Sequence, residues 1–247
     1  MSELGGADGR AAEGRRGGVG GRGGADGRGG DRELGGLTFV RPRDIERRSF
    51  EIIGEELGDR VLDPEDEPVI KRVIHTTADL DYADALSFSP HATSRGAEAL
   101  RRGCDVVTDT TMAMAGINKR VLARFGGRVL NFIGDEDVAA RARELGLTRS
   151  AVAMDKAAAL GRPLVLCVGN APTALVRICE LLDSGELVRP ALVVGVPVGF
   201  VNVVESKELL LAHDVDRIVA RGRKGGSNVA AAIVNALLYV ASGDERE

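Results

Sequence analysis

The chain has 247 residues, with 33 Lys and Arg against 37 Asp and Glu, a formal net charge of −4 at pH 7. That length suits one α/β domain or two small ones, and the near balance of charge excludes wholesale nucleic-acid binding. Cys104, Cys167 and Cys179 form no CxxC pair and leave one over, which excludes a disulfide framework and points to a reducing compartment.

Residues 1–36 hold 15 of the 33 Gly and no aromatic residue, so this stretch reads as a disordered tail that cannot bury enough apolar surface to fold. Arg-Gly-Gly recurs at Arg16, Arg22 and Arg28. The six Arg of the tail face six Asp and Glu, and no aromatic is interleaved to stack on bases, so a passive tail is preferred to an RNA-binding box.

From residue 37 to 247 the texture is that of one domain. Helical patterns are predicted over Pro42–Leu57, Pro64–His75 and Pro90–Arg101, then a buried strand over Asp105–Thr108. A strand over Arg128–Ile133 precedes helices over Asp135–Leu145 and Arg149–Leu160. Strands over Pro163–Val168, Pro190–Val196 and Arg217–Ala220 then alternate with helices over Pro172–Leu182, Ser206–His213 and Gly226–Val240. Ser89-Pro90 and Thr148-Arg149 read as N-cap followed by first helical residue. Continuously apolar strands alternating with helices predict an α/β fold: a mostly parallel sheet with helices on both faces. The longest apolar run, Ala191 to Val201, is broken by Gly195, Pro197 and Gly199 and is too short to span a bilayer. With no basic-then-apolar opening, a cytoplasmic protein is expected.

No GxGxxG follows a strand, and no GxxxxGK[ST], GxSxG or HExxH is present. The dispersed His and Cys make no recognisable metal site. Chemistry is expected instead in the loops at the carboxyl ends of three strands, where parallel sheets bind ligands. These are Gly169-Asn170-Ala171-Pro172-Thr173, Pro197-Val198-Gly199-Phe200-Val201 and Arg221-Gly222-Arg223-Lys224-Gly225-Gly226-Ser227. Arg149 sits in the first turn of its helix, and Arg223 and Lys224 just ahead of another. Cations there oppose the helix dipole by about 0.3–1 kcal/mol each, whereas a charge-assisted hydrogen bond to a bound carboxylate contributes about 1.5–3 kcal/mol. A polyanionic ligand follows.

On a helical wheel Val69, Ile70, Val73 and Ile74 form the apolar stripe, with Lys71, Arg72 and His75 on the other side. By that pattern alone His75 is an exposed helix-end imidazole. His91 and His213 read as helix-terminus residues with no further role, and Ser49 as a small neutral residue near the core.

The stretch Ile45-Glu46-Arg47-Arg48-Ser49-Phe50 resembles the IExxSF motif of the precorrin-8X and cobalt-precorrin-8 methylmutases. So do VIHTTADLDYADALSFSP (73–90), TRSA (148–151), GNAPTAL (169–175), PVGFV with ESK (197–201 and 205–207) and RGRKGGS (221–227). The blocks run in the family's order from about Arg41 onward. The resemblance implies a homodimeric isomerase of cobalamin biosynthesis that moves a methyl group from C-11 to C-12 of a corrin-like macrocycle. It implies no external cofactor; cobalt would enter only as part of the substrate, and the 75–90 block looks like that of the cobalt-first branch. It also implies His75 as the catalytic acid, with Ser49, Thr76 and Arg149 at the substrate. Asn170, Thr173, Val198, Gly199, Phe200, Arg223, Lys224, Gly225, Gly226 and Ser227 join them from the three loops. The alternative is a corrinoid carrier without chemistry.

Overall fold

The computed structural model describes residues 44–243 together with Glu33–Leu34, Leu37–Thr38, Val40 and Arg41. Two units are separable, Met1–Val40 and Arg41–Glu247. In the first, β1 (Glu33–Leu34) pairs antiparallel with β2 (Leu37–Thr38). The tail expected over residues 1–36 otherwise lies outside the described residues; at Glu33–Leu34 the chain forms a strand instead.

In the second unit, α1 (Ile45–Leu57), α2 (Glu67–Thr77) and α3 (Tyr82–Ala85) lead to β3 (Leu86–Phe88). Next come α4 (Ala92–Arg101), β4 (Val106–Thr108), α5 (Thr111–Gly116), α6 (Lys119–Arg124), β5 (Val129–Leu130), α7 (Glu136–Leu145) and α8 (Arg149–Ala158). The chain closes with β6 (Val165–Val168), α9 (Pro172–Asp183), β7 (Leu192–Gly195), α10 (Val203–Leu211), β8 (Arg217–Ala220) and α11 (Ser227–Ser242).

The six-stranded sheet has the order β3-β8-β7-β6-β4-β5, parallel throughout except for β3. Strand side chains alternate between two cores, as a pleat of period two requires. Val165, Cys167, Leu192 and Val194 face one cluster with α1, α2, α4, α5, α6 and α11. Leu164, Leu166, Val168 and Val193 face the other, with α7, α8, α9 and α10. The result is a three-layer α/β sandwich. Helix α11 is apolar on nearly every side because α2, α4, α5 and the sheet all close around it.

Several boundaries differ from expectation for local reasons. Strand β5 stops at Leu130 because the Asn131 side chain takes over the ladder, its Nδ2 donating to the Thr108 carbonyl at 2.7 Å. Helix α2 begins at Glu67 rather than Pro64, and α10 at Val203 rather than Ser206, after Asn202 turns the chain at φ 56°. The short elements β3, α3, α5 and α6 were not anticipated. Pro42 and Arg43, expected to open α1, lie outside the described residues. Ser89 is not an N-cap: its hydroxyl accepts from the Arg217 N–H at 3.0 Å, tying β3 to β8. His91 is the residue that precedes α4, at φ 62°, and Glu65 caps that helix from outside by accepting the Ser94 N–H at 3.1 Å. Glu65 also holds His91 Nδ1 at 3.0 Å, and His213 bridges to Asp183 at 3.1 Å. Both imidazoles therefore have structural partners. Among the described residues no helix is long and apolar enough to cross a membrane.

Candidate active site at the carboxyl rim of the sheet

Strand order reverses between β4 and β6, so the crevice beyond their carboxyl ends is the expected ligand position. Here it is closed from within. Asp109, one residue past β4, is buried and accepts from the N–H groups of Gly169 at 2.9 Å, Asn170 at 2.8 Å and Ala171 at 2.8 Å. The N–H groups of the loop between β6 and α9 are thus taken by the protein's own carboxylate. Burial pushes the Asp109 pKa up, and the three N–H donors pull against that shift. The same closure uses Gly169: a Cβ there would sit 2.8 Å from the Ser227 Cα of α11. Asn170 and Thr173 remain exposed at the surface of this loop.

Thr148 caps α8 by accepting the Ala151 N–H at 3.2 Å, and its hydroxyl meets that of Thr173 at 2.8 Å. This contact brings the TRSA and GNAPT blocks together and sets the exposed Arg149 beside the α9 loop. Arg149 has no ion pair among the described residues.

The β7 and β8 loops interlock. The Gly199 N–H donates to the Arg223 carbonyl at 3.3 Å and the Gly226 N–H to the Val196 carbonyl at 2.9 Å. Arg223 lies over the Phe200 ring at 5.6 Å, and Phe200 is 84% exposed. Gly225 adopts φ +154°, and a Cβ would stand 2.1 Å from the Val196 carbonyl oxygen. That glycine is required by the protein's own backbone rather than by clearance for a ligand. Ser227 likewise turns inward, its hydroxyl 2.8 Å from that of Thr110.

Lys224 is also corrected. Its ammonium is held by Asp79 Oδ2 at 2.7 Å and Asp81 Oδ2 at 2.6 Å, which raise its pKa, so it is not an unpaired cation awaiting an anion. The same pairs bind the segment just beyond His75 to the β8 loop, and the Arg221 N–H adds a bond to the Ala85 carbonyl at 2.8 Å. His75 itself lies exposed in the last turn of α2, which Ala78 ends in the left-handed conformation.

The IExxSF block docks α1 against this turn. Glu46 pairs with Arg72, whose guanidinium lies between the Phe50 and Tyr239 rings at 5.0 Å from each. The Phe50 ring meets the His75 imidazole edge-on, with centroids 5.7 Å apart. Arg72 and Lys71 are therefore not a solvated cationic face: Arg72 keeps only 12% of its side chain exposed and Lys71 pairs with Glu67. The Ser49 hydroxyl donates to the Ile45 carbonyl at 2.9 Å and that of Thr76 to the Arg72 carbonyl at 2.9 Å, so each proton is engaged in its own helix.

The structure thus gathers Arg149 with Thr173, Arg223 with Phe200, Val198 and Gly199, and His75 with the β8 loop through Asp79. Sequence reasoning missed Asp109, Asp79, Asp81 and Lys207. An acid directly after a buried strand, in Thr108-Asp109-Thr110, was the signal available for the first. The thiols are not candidate nucleophiles: burial pushes the pKa of Cys167 far above its usual value and that of Cys179 to about 12. Among the described residues no group of three His, Cys, Asp or Glu is arranged to hold a metal ion.

Fold and site together define a three-layer α/β protein whose open, partly apolar rim carries two arginines, Arg149 and Arg223, without an ion pair among the described residues. Residues 44–240 match the precorrin-8X methylmutase family. A cobalt-precorrin-8 methylmutase of Salmonella typhimurium is 50% identical over 205 residues, covering 81% of this chain and 95% of the relative. A precorrin-8X methylmutase of Pseudomonas aeruginosa is 42% identical over 195 residues, covering 78% and 93%. The solved structure of a precorrin-8x methyl mutase from Thermus thermophilus superposes with a TM-score of 0.75 at 38% identity, over 81% of this chain and 98% of that one. The chain belongs to the precorrin-8X methylmutase family, and it is an isomerase of cobalamin biosynthesis.

Proposed function

We propose that this chain moves a methyl group from C-11 to C-12 of a cobalt-containing precorrin-8 macrocycle, with His75 as proton donor and Arg149 and Arg223 as holders of its carboxylate arms. The observation that carries the reading is the closure of Asp79 and Asp81 on Lys224, which fixes the turn after His75 to the loop that bears Arg223. A protonated His75 polarises the conjugated ring, the methyl–C-11 bond breaks as the methyl–C-12 bond forms in a 1,5-shift, and the proton returns to the imidazole. Atoms are conserved, as an isomerisation requires.

Phe50 sets the imidazole plane and Ser49, its chain neighbour, lies on the same helix turn. The exposed Val198 and Phe200 give the ring face an aliphatic and aromatic rest. Asn170, Thr173 and Thr76 offer exposed polar groups to the periphery, while Gly199, Gly225, Gly226 and Ser227 shape the loops beneath. The cobalt-carrying substrate is favoured by the 50% identity with the Salmonella relative. The working form is a homodimer, favoured by the exposure of Met112, Phe200 and Val201 on the rim, and light scattering measures it.

The test is turnover of substrate in excess over protein, followed by the ultraviolet–visible change of the macrocycle with and without cobalt. His75→Ala is expected to lower kcat by about 10²–10⁴-fold with binding retained, the range for one positioned proton donor. Turnover near wild type removes His75 from the role. Absence of turnover beyond one equivalent in the unaltered protein leaves the corrinoid carrier.

A further inference from the structure

Helix α10 carries Lys207 in the ESK block, and this lysine is 0% exposed, the largest of the fully buried side chains. A buried ammonium is costly unless hydrogen bonds replace its water. Its two bonds both go to one short loop: Nζ donates to the Gly222 carbonyl at 2.7 Å and to the Lys224 carbonyl at 2.8 Å. No carboxylate is paired with it among the described residues, and burial pulls its pKa down to about 8. An apolar residue of the same length fills such a space without the penalty. The ammonium therefore has a directional task.

That task is legible in what lies between the two carbonyls. The Gly222 carbonyl lies in the peptide plane that enters Arg223 and the Lys224 carbonyl in the plane one residue beyond it, so the ammonium anchors the loop on both sides of Arg223. A third hold comes from Gly199, whose N–H donates to the Arg223 carbonyl, and the guanidinium then leaves the loop over the Phe200 ring. We infer that Lys207 is a positioning residue that aims Arg223 at an acidic arm of the substrate. It touches no substrate and acts through the loop. The inference rests on reading Arg223 as an arm holder.

The experiment compares Lys207→Met, Arg223→Gln and the double variant in the full chain, measuring KM and kcat separately by the macrocycle's spectral change. Lys207→Met keeps the stem and removes the donors. It is expected to raise KM about tenfold, less than the roughly 10²-fold that about 1 Å of misplacement can cost, while kcat stays within about twofold because Lys224, Asp79 and Asp81 keep the side chains that hold the turn after His75. In the Arg223→Gln background the same substitution is expected to add nothing to KM. A fall in kcat with KM unmoved, or equal KM effects in both backgrounds, overturns the inference. If Arg223→Gln alone leaves KM unchanged, the arm-holder reading fails. If it raises KM and Lys207→Met does not, only the role of Lys207 fails. Lys207→Gln, which keeps an amide donor, is the second variant should the methionine not fold; failure of both to fold makes Lys207 a fold determinant and ends the positioning role.

Discussion

Two aspartates flank the same three-residue strand, β4, and meet opposite surroundings. Asp105, at the amino end, has a side chain 6% exposed and accepts from the Arg128 N–H at 2.7 Å, from the Arg128 guanidinium at 3.2 Å and from Arg162. Beside it lies a cleft of about 590 Å³ lined by Arg102, Arg128, Arg162 and Cys104. Asp109, at the carboxyl end, is satisfied by three backbone N–H groups with no cation. At one end, therefore, arginines neutralise a buried acid and hold strands together. At the other, the loop leading into α9 does that work with its N–H groups, and Arg149 and Arg223 keep no ion pair among the described residues. A loop whose backbone N–H groups satisfy a buried carboxylate needs no side-chain cation for that purpose.

The sharpest way to break this contrast is to remove the internal anion. Asp109→Ala strands three backbone donors at once, those of Gly169 and Ala171 buried, and about 2–4 kcal/mol of stability is expected to be lost, taking about 1–3 kcal/mol per unsatisfied buried group with partial relaxation. Denaturant unfolding measures it. A variant as stable as the parent means that water satisfies the loop and that the α9 terminus is open to substrate after all.

A second experiment contrasts arginines at the two ends. Arg149→Gln is expected to raise KM about tenfold or more, since a charge-assisted hydrogen bond contributes about 1.5–3 kcal/mol, with little change in melting temperature because Arg149 has no partner to strand. Arg128→Gln should do the reverse, lowering the melting temperature by weakening the hold on buried Asp105 and leaving KM untouched. Equal KM effects would remove the distinction between the two ends.

Much of this was readable in the residues. The parallel strands announced themselves as continuous apolar runs, and Thr148 capped its helix as its chemistry predicts. What stayed hidden depended on partners far away in sequence. Strand β3 has three residues and one buried position, too short for any periodicity to register. Ser89 looked like a cap because the Arg217 N–H that engages it lies 128 residues on. Lys224 looked unpaired because Asp79 and Asp81 stand 145 and 143 residues before it. The His75 block and the glycine-rich loop were each visible, but not the ion pairs that join them. Local pattern exposes elements; the closing contacts of a site are long-range.

The gentlest test concerns that joint. Lys224→Gln is expected to change KM less than about threefold, because Asp79 and Asp81 already occupy the ammonium and an exposed pair contributes little. Asp79 has its pKa lowered by the hydrogen bond from Lys224. Its share of stability is therefore present above the ordinary carboxylate pKa of about 3.9 and is lost as pH falls through the lowered value. The difference in stability between parent and Lys224→Gln should vanish at acid pH and in high salt, which screens exposed charges. If KM instead rises as far as in Arg149→Gln, a substrate carboxylate must replace Asp79 on Lys224 when it binds. Binding would then release the turn after His75 at the moment the imidazole is needed, and the joint would be a gate rather than a fixture.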